Sequence, residues 1–194
     1  MSDIPAWSTT APVPQGTVAS VPAAPDHLDA LGPGSRLAEF EIVRVLGAGG
    51  FGIVYLALDQ ILLRHVAIKE FLPSALARRD RGEMVSVRSA ALADTFRAGL
   101  ESFFNEARLL AGFDHPSLVK VHRFWKANGT AYMAMQYYPG RTLKETREAM
   151  AAAPDEAWLR ALIEPMLGVL EVLHRQGVYH RDIAPDNILL LPDG

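Results

Sequence analysis

The chain has 194 residues, 49% hydrophobic and 21% charged, with 19 Lys or Arg against 22 Asp or Glu and no cysteine. That suits one modest globular domain or slightly more. A net charge of −3 argues against a nucleic-acid binder, which normally carries a basic surplus. The absence of cysteine excludes disulfides, thiol catalysis and Cys-ligated zinc. No run approaches the roughly 18 apolar residues of a membrane span. The start, Met1-Ser2-Asp3-Ile4-Pro5, lacks the basic and apolar parts of a signal peptide, so a cytoplasmic location is expected.

Residues 1–35 hold three Asp, no Lys or Arg, and six of the thirteen prolines. Too few large apolar residues remain there to offset ordering entropy, and a disordered Pro/Ala-rich leader is expected. From Arg36 the texture changes. Phe40–Leu46 and Ile53–Leu58 read as strands around a glycine-rich turn, and His65–Glu70 as a third, forming an antiparallel meander. Residues 73–98, broken by Pro73 and Gly82, predict a loop-rich excursion. Leu100, Phe103, Phe104, Ala107, Leu110 and Ala111 recur at helical spacing and predict a helix of about three turns, closed by Gly112 and Pro116.

Leu118–Trp125 and Ala131–Tyr138 predict two strands joined by a hairpin turn at Asn128-Gly129. Pro139-Gly140 marks a break. A short helix is predicted over Leu143–Met150, and a longer one from Asp155 to about Gln176, where Pro165 should kink or loosen it. Its apolar stripe is Leu159, Leu162, Ile163, Met166, Leu170 and Leu173. Val178–Asn187 reads as a loop and Ile188–Leu191 as a last strand.

Three constellations carry chemistry. Gly47, Gly49 and Gly52 form Gly-x-Gly-x-x-Gly, which serves either as a flexible hairpin or as a phosphate cradle. Strand residues follow it, not a helix, so a dinucleotide-binding turn is disfavoured. Bare backbone amides between two strands can instead fold over phosphates. Lys69 sits in the apolar strand Val66-Ala67-Ile68-Lys69, where an ammonium either reaches solvent or keeps an anionic partner. Glu106, on the edge of the helical stripe, can supply that partner. His180-Arg181-Asp182-Ile183-Ala184-Pro185-Asp186-Asn187 is the most specific signal. It matches H-R-D-x-x-x-x-N, which places Asp182 to accept a hydroxyl proton and Asn187 to ligate a metal ion.

In these ordered motifs the chain resembles a Hanks-type protein kinase, similar to bacterial serine/threonine kinases, over roughly residues 38–194. The resemblance implies an α+β fold: a five-stranded antiparallel N-lobe with one main helix (36–137) and the first part of a helical C-lobe (138–194). It implies ATP and Mg2+ as cofactors and phosphoryl transfer to a protein serine or threonine. Lys69, Glu106, Asp182 and Asn187 would be catalytic, with Asn187 on the metal. Leu46, Gly47, Gly49, Gly52, Val54, Ala67, Lys69 and Leu189 would bind nucleotide, with Met135 as gatekeeper and the backbone of Gln136 and Tyr138 facing adenine. His180 and Leu110 would stack in an internal spine.

Three features depart from the family pattern. The interval from Lys69 to Glu106 is 37 residues, which points to an insertion at 73–98. Ala184 stands where such kinases carry a lysine for the γ-phosphate. The sequence reaches Gly194 without Asp-Phe-Gly, the motif that supplies the metal-binding carboxylate, so these 194 residues are expected to be a poor catalyst. A kinase-derived module for nucleotide binding or interaction is the alternative. A small-molecule kinase of the aminoglycoside type would carry His-Gly-Asp instead of His180-Arg181-Asp182.

Overall fold

A computed structural model describes residues 29–80, 82–180 and 182–192. Most of the expected leader, residues 1–28, lies outside the described residues, as does Arg181. Residues 29–35, expected in that leader, are tied to the fold at both ends: Leu31 is buried, and the Ile42 amide donates to the Ser35 carbonyl at 2.9 Å, while residues 32–34 between them are exposed.

Strands β1 (Arg36–Leu37), β2 (Phe40–Gly49), β3 (Gly52–Asp59) and β4 (Arg64–Phe71) form the expected meander. Strands β7 (Val121–Ala127) and β8 (Thr130–Gln136) complete an antiparallel sheet of six strands in the order β1-β2-β3-β4-β8-β7, and two short strands between β4 and β7 lie outside it. The sixth strand, beyond the five expected, is β1. Its two residues are too few to show alternation, and it pairs with β2 through a reversal at Ala38, whose φ is 55°. The turn between β7 and β8 follows its sequence: Asn128 and Gly129 both have positive φ, 51° and 73°, as a tight hairpin turn requires.

Phe40 of β2 stacks on Trp125 of β7 at 5.6 Å, and Trp125 on Tyr132 at 5.4 Å. These strands lie near opposite ends of the sheet, so the sheet must curl to bring them together. Cross-strand pairing puts Val54, Ala67, Lys69 and Met135 on one face, and Tyr55, Ile68, Glu70 and Tyr132 on the other, inside the curl.

The segment read as a loop-rich excursion is ordered. Strands β5 (Ala77–Arg79) and β6 (Val85–Val87) pair, and Ala77 and Val85 join the main core. A short turn at Ala90–Leu92 leads into helix α1, Ala93–Ala111, which is 19 residues long and not the three turns expected. Gly99, one residue before the expected apolar stripe, sits mid-helix. A Cβ there would lie 2.7 Å from Cζ of Phe71, so the glycine makes room for that ring. Phe71 also packs on Phe96 at 5.3 Å and Phe103 at 5.8 Å.

The second half contains β9 (Arg141–Thr142), α2 (Leu143–Ala149), α3 (Glu156–Arg175) and β10 (Leu189–Leu190), with β9 and β10 antiparallel. Thr142 and Glu145 form a reciprocal capping box on α2, and the Asp155 carboxylate accepts from the Trp158 amide at 2.8 Å to cap α3. Helix α3 runs on through Pro165. Its buried positions are Val169 and Leu173, packed with Leu118 in a separate cluster, while Leu159 and Ile163 of the expected stripe stay exposed.

Candidate active site

The structure brings Lys69 and Glu106 together, with Nζ donating to Oε1 at 2.9 Å. Helical spacing puts Phe96, Gly99, Phe103 and Glu106 on one face of α1. The Phe71 ring seats in the first three of these. Lys69 lies two residues before Phe71 on the same face of β4, which sets the ammonium opposite Glu106 and 5.8 Å from the Phe103 ring centroid. The side chains are 33% and 47% exposed, so the pair itself contributes little to stability.

Val54, Ala67 and Met135 share that face, Val54 pairing with Lys69 and Met135 with Ala67. Beyond Met135, the Gln136 amide donates to the Lys120 carbonyl at 2.9 Å. Any backbone contact from Gln136 to a ligand therefore falls to its carbonyl. Tyr138 follows, half-buried.

The three loop glycines differ. A Cβ at Gly52 would lie 2.0 Å from the Glu70 carbonyl oxygen, whereas at Gly47 and Gly49 it would meet nothing within 4 Å. Gly52 is therefore required by strand packing. Gly47 and Gly49 leave open space along their backbone, the condition for close approach of a phosphate. Leu46, just before them, is half-buried.

Asp182 and Asn187 also meet. The Asn187 side-chain amide donates to Asp182 Oδ2 at 2.9 Å and to the Asp182 carbonyl at 3.2 Å. A tight turn at Pro185–Asn187 folds the loop back, and the Asn187 amide donates to the Ala184 carbonyl at 2.9 Å. The β9–β10 pair and a Lys144–Asp186 ion pair at 3.3 Å anchor this loop to α2. Gly140 lets β10 approach, since a Cβ there would lie 2.6 Å from the Leu190 carbonyl oxygen. Leu189 is exposed. His180 is exposed and Leu110 half-buried, so the expected internal stacking of His180 is not formed. Among the described residues the loop's long-range ties run to α2 and β9, which leaves that imidazole uncovered.

With the nitrogen of Asn187 committed to Asp182, its carbonyl oxygen is left to ligate a cation. Such a donor suits Mg2+, which favours oxygen ligands shared with phosphates. Among the described residues no cluster of three His, Asp or Glu could hold a metal alone. Taken one by one, the open glycine backbone and the paired ammonium fit phosphate oxygens, and this amide oxygen fits a metal ion.

Sequence reasoning missed Tyr55, Glu70 and Arg79, buried directly behind the site. Arg79 donates to both Glu70 oxygens, at 2.6 and 2.5 Å, and the Tyr55 hydroxyl donates to one at 2.7 Å. Burial, and then the Glu70 charge, push the Tyr55 phenol well above its ordinary pKa, which keeps it a donor. A glutamate inside an apolar strand was the available signal.

Residues 40–194 match the protein kinase domain family. The chain is 36% identical over 160 residues to the serine/threonine-protein kinase PknJ of Mycobacterium tuberculosis, covering 82% of this chain and 24% of that one. It is 30% identical over 159 residues to the serine/threonine-protein kinase cds1 of Schizosaccharomyces pombe, covering 82% and 31%. Among solved structures, the apo form of PpkA-294 is similar with a TM-score of 0.81 and 47% identity, covering 85% of this chain and 59% of that chain. The Mycobacterium tuberculosis PknI kinase domain is similar with a TM-score of 0.63 and 27% identity, covering 84% and 59%. The chain thus spans less than a third of these curated relatives and under two thirds of the solved kinase domains. It belongs to the protein kinase family.

Proposed function

We propose that residues 36–137 and 138–194 are the two lobes of a serine/threonine kinase domain, the second only in part, and that they bind ATP with Mg2+. The observation that carries this reading is the assembly of both motif pairs, Lys69 with Glu106 and Asp182 with Asn187. Val54, Ala67 and Met135 offer an apolar surface to the base, with Leu46 and Leu189 at its margins and the backbone of Gln136 and Tyr138 along its edge. Backbone amides at Gly47 and Gly49 approach the phosphates. Lys69, held by Glu106, presents its ammonium to phosphate oxygens. Asp182 accepts the proton of the attacking serine or threonine hydroxyl, and its bond to Asn187 orients the carboxylate. Bound Mg2+ supplies charge neutralisation at the phosphates, with Asn187 as a ligand.

Ala184 supplies no cation to the γ-phosphate, and Asn187 is the one family metal position matched among the described residues. Lost charge stabilisation of this kind costs on the order of 10³ in rate. Residues 1–194 are therefore proposed to bind nucleotide and turn it over poorly. The Ala184 methyl favours, as a second reading, a module that binds nucleotide without phosphorylating. Titration with a fluorescent ATP analogue and Mg2+ should show binding that Lys69→Met abolishes. A radiolabelled ATP assay with a generic protein substrate should show turnover far below about 1 per second, the lower end for kinases. Turnover at or above that rate, abolished by Asp182→Asn, would refute the poor-catalyst reading. Absence of nucleotide binding would refute the site itself.

A further inference from the structure

Glu70 follows Lys69 in β4 and faces the other way, into the curl of the sheet, where it is fully buried. A carboxylate there needs a full set of partners, and it has one in Arg79 and Tyr55. Arg79 is itself buried, its side chain 5% exposed. Its other donors are also engaged: Nε with the Asp29 carbonyl at 2.8 Å and Nη1 with the Glu83 carbonyl at 2.5 Å. Its backbone amide donates to Asp29 Oδ1 at 3.1 Å, and the Leu31 amide donates to the Tyr55 hydroxyl at 3.2 Å. One buried cluster thus holds the strand, the β5–β6 pair and the segment Asp29–Leu31.

The place of Arg79 in the chain gives the cluster its consequence. Residues 72–92 are the covalent path from the strand that carries Lys69 to the helix that carries Glu106. Arg79 folds this path back onto the residue next to Lys69. The Val85 amide, donating to the Asn128 carbonyl at 2.8 Å, seats the path on the β7–β8 turn, and Arg88 Nε closes its base on the Ser74 carbonyl at 2.8 Å. The half-exposed Lys69–Glu106 pair is too weak to impose its own geometry. Stability alone does not account for the buried pair either, since apolar replacement of such pairs is often neutral or stabilising.

We propose that Glu70 and Arg79 are positioning residues for the Lys69–Glu106 pair, and that the segment Asp29–Leu31 completes this lock. Its docking thereby sets where the phosphate-binding lysine stands. The consequence for nucleotide rests on the reading of Lys69 given above, whereas the geometry of the lock does not.

The cysteine-free sequence allows clean labelling. Spin labels at Ile61→Cys and Glu101→Cys, both exposed positions, report the distance between the sheet and α1 in the full 194-residue chain. The variants are Glu70→Leu with Arg79→Met, which removes both charges, and the milder Arg79→Lys and Asp29→Ala, which carry the test should the double variant not fold. In variants shown to be folded by circular dichroism, the distance distribution should broaden or shift. Affinity for a fluorescent ATP analogue should fall by about tenfold, which corresponds to about 1.4 kcal/mol. A lowered melting temperature with an unchanged distance distribution in every folded variant would overturn the proposal and leave the cluster a stabilising one. Failure of the unsubstituted chain to bind nucleotide would reject the nucleotide reading, and the distance measurement would still decide the lock.

Discussion

A methyl group added at each loop glycine in turn should separate fold from site. At Gly52 the new Cβ would stand 2.0 Å from the Glu70 carbonyl oxygen and 3.3 Å from the Leu72 amide nitrogen. An unstrained contact needs roughly 3.5 Å, so β3 would have to lift from β4 by about 1.5 Å at this end. The obstacle is backbone, which cannot rotate aside. Overpacking of this kind costs about 1–3 kcal/mol, and one or two lost ladder hydrogen bonds add about 1 kcal/mol each. Gly52→Ala should therefore destabilise by about 2–5 kcal/mol. At Gly47 and Gly49 no atom lies within 4 Å. Alanine there should be neutral or stabilise by up to about 1 kcal/mol, because glycine loses the most freedom on entering a strand.

Urea unfolding reads the difference directly. With a slope of about 2 kcal/mol per molar, the Gly52→Ala midpoint should drop by about 1–2.5 M, while the other two should hold or rise slightly. Nucleotide affinity should show the reverse order. Gly47→Ala and Gly49→Ala should weaken binding in a folded protein, because the methyl takes the space a phosphate would enter. A Gly52→Ala chain that unfolds at the same urea concentration as the unsubstituted one would refute the packing argument. Unchanged affinity in both other variants would remove those glycines from the phosphate site.

Gly99→Ala gains about 1 kcal/mol of helix propensity but drives a Cβ to 2.7 Å from a Phe71 ring held between Phe96 and Phe103. A net loss of up to about 2 kcal/mol is expected, relieved in the Phe71→Leu background, and a double-mutant cycle in urea checks the coupling. Burial, then the charges of Arg64 and Lys120, lower the His122 pKa below its ordinary 6.5. The unfolded chain then binds the proton more readily, so this contribution is whole above pH 6.5 and is lost as pH falls through the folded value. His122→Asn should flatten that part of the pH dependence in urea midpoints. Thr142→Ala removes the cap on α2 and should cost about 1 kcal/mol. It should also let the Glu145 pKa, lowered first by the Thr142 backbone amide and then by its hydroxyl, relax upward in an NMR titration.

Much of this arrangement was legible in the residues because it depends on local rules. Alternation gave the meander, the paired positive-φ residues Asn128 and Gly129 gave the hairpin, and side-chain chemistry suggested that Lys69 and Glu106 would meet. The errors share a different cause. The apolar spacing starts the helix only at Leu100, and only the Phe71 ring, 28 residues before Gly99 by number, explains why that glycine belongs mid-helix. Residues 73–92 lack periodicity because β5 and β6 are three residues each. Their order comes from Arg79 reaching Glu70 and from Ala77 and Val85 entering the core. The stripe on α3 was read correctly as helical, but periodicity does not say what covers a face, and Leu159 and Ile163 are exposed.

Lys69 and Glu70 show why two ion pairs on adjacent residues have different uses. The pleat sends one side chain toward α1 and the other into the curl. Breaking an exposed pair costs about 1 kcal/mol or less, so Glu106 by itself does not fix where the Lys69 ammonium stands. Removing one partner of a buried pair costs about 3–5 kcal/mol, so Glu70 and Arg79 stay together. The strand backbone between them is common to both, and it is fixed from the buried side. A lysine held by so weak a pair keeps its place only if its strand does not move. The Glu70–Arg79 pair, closed by Tyr55 and Asp29, supplies that fixed side within one residue of the labile one.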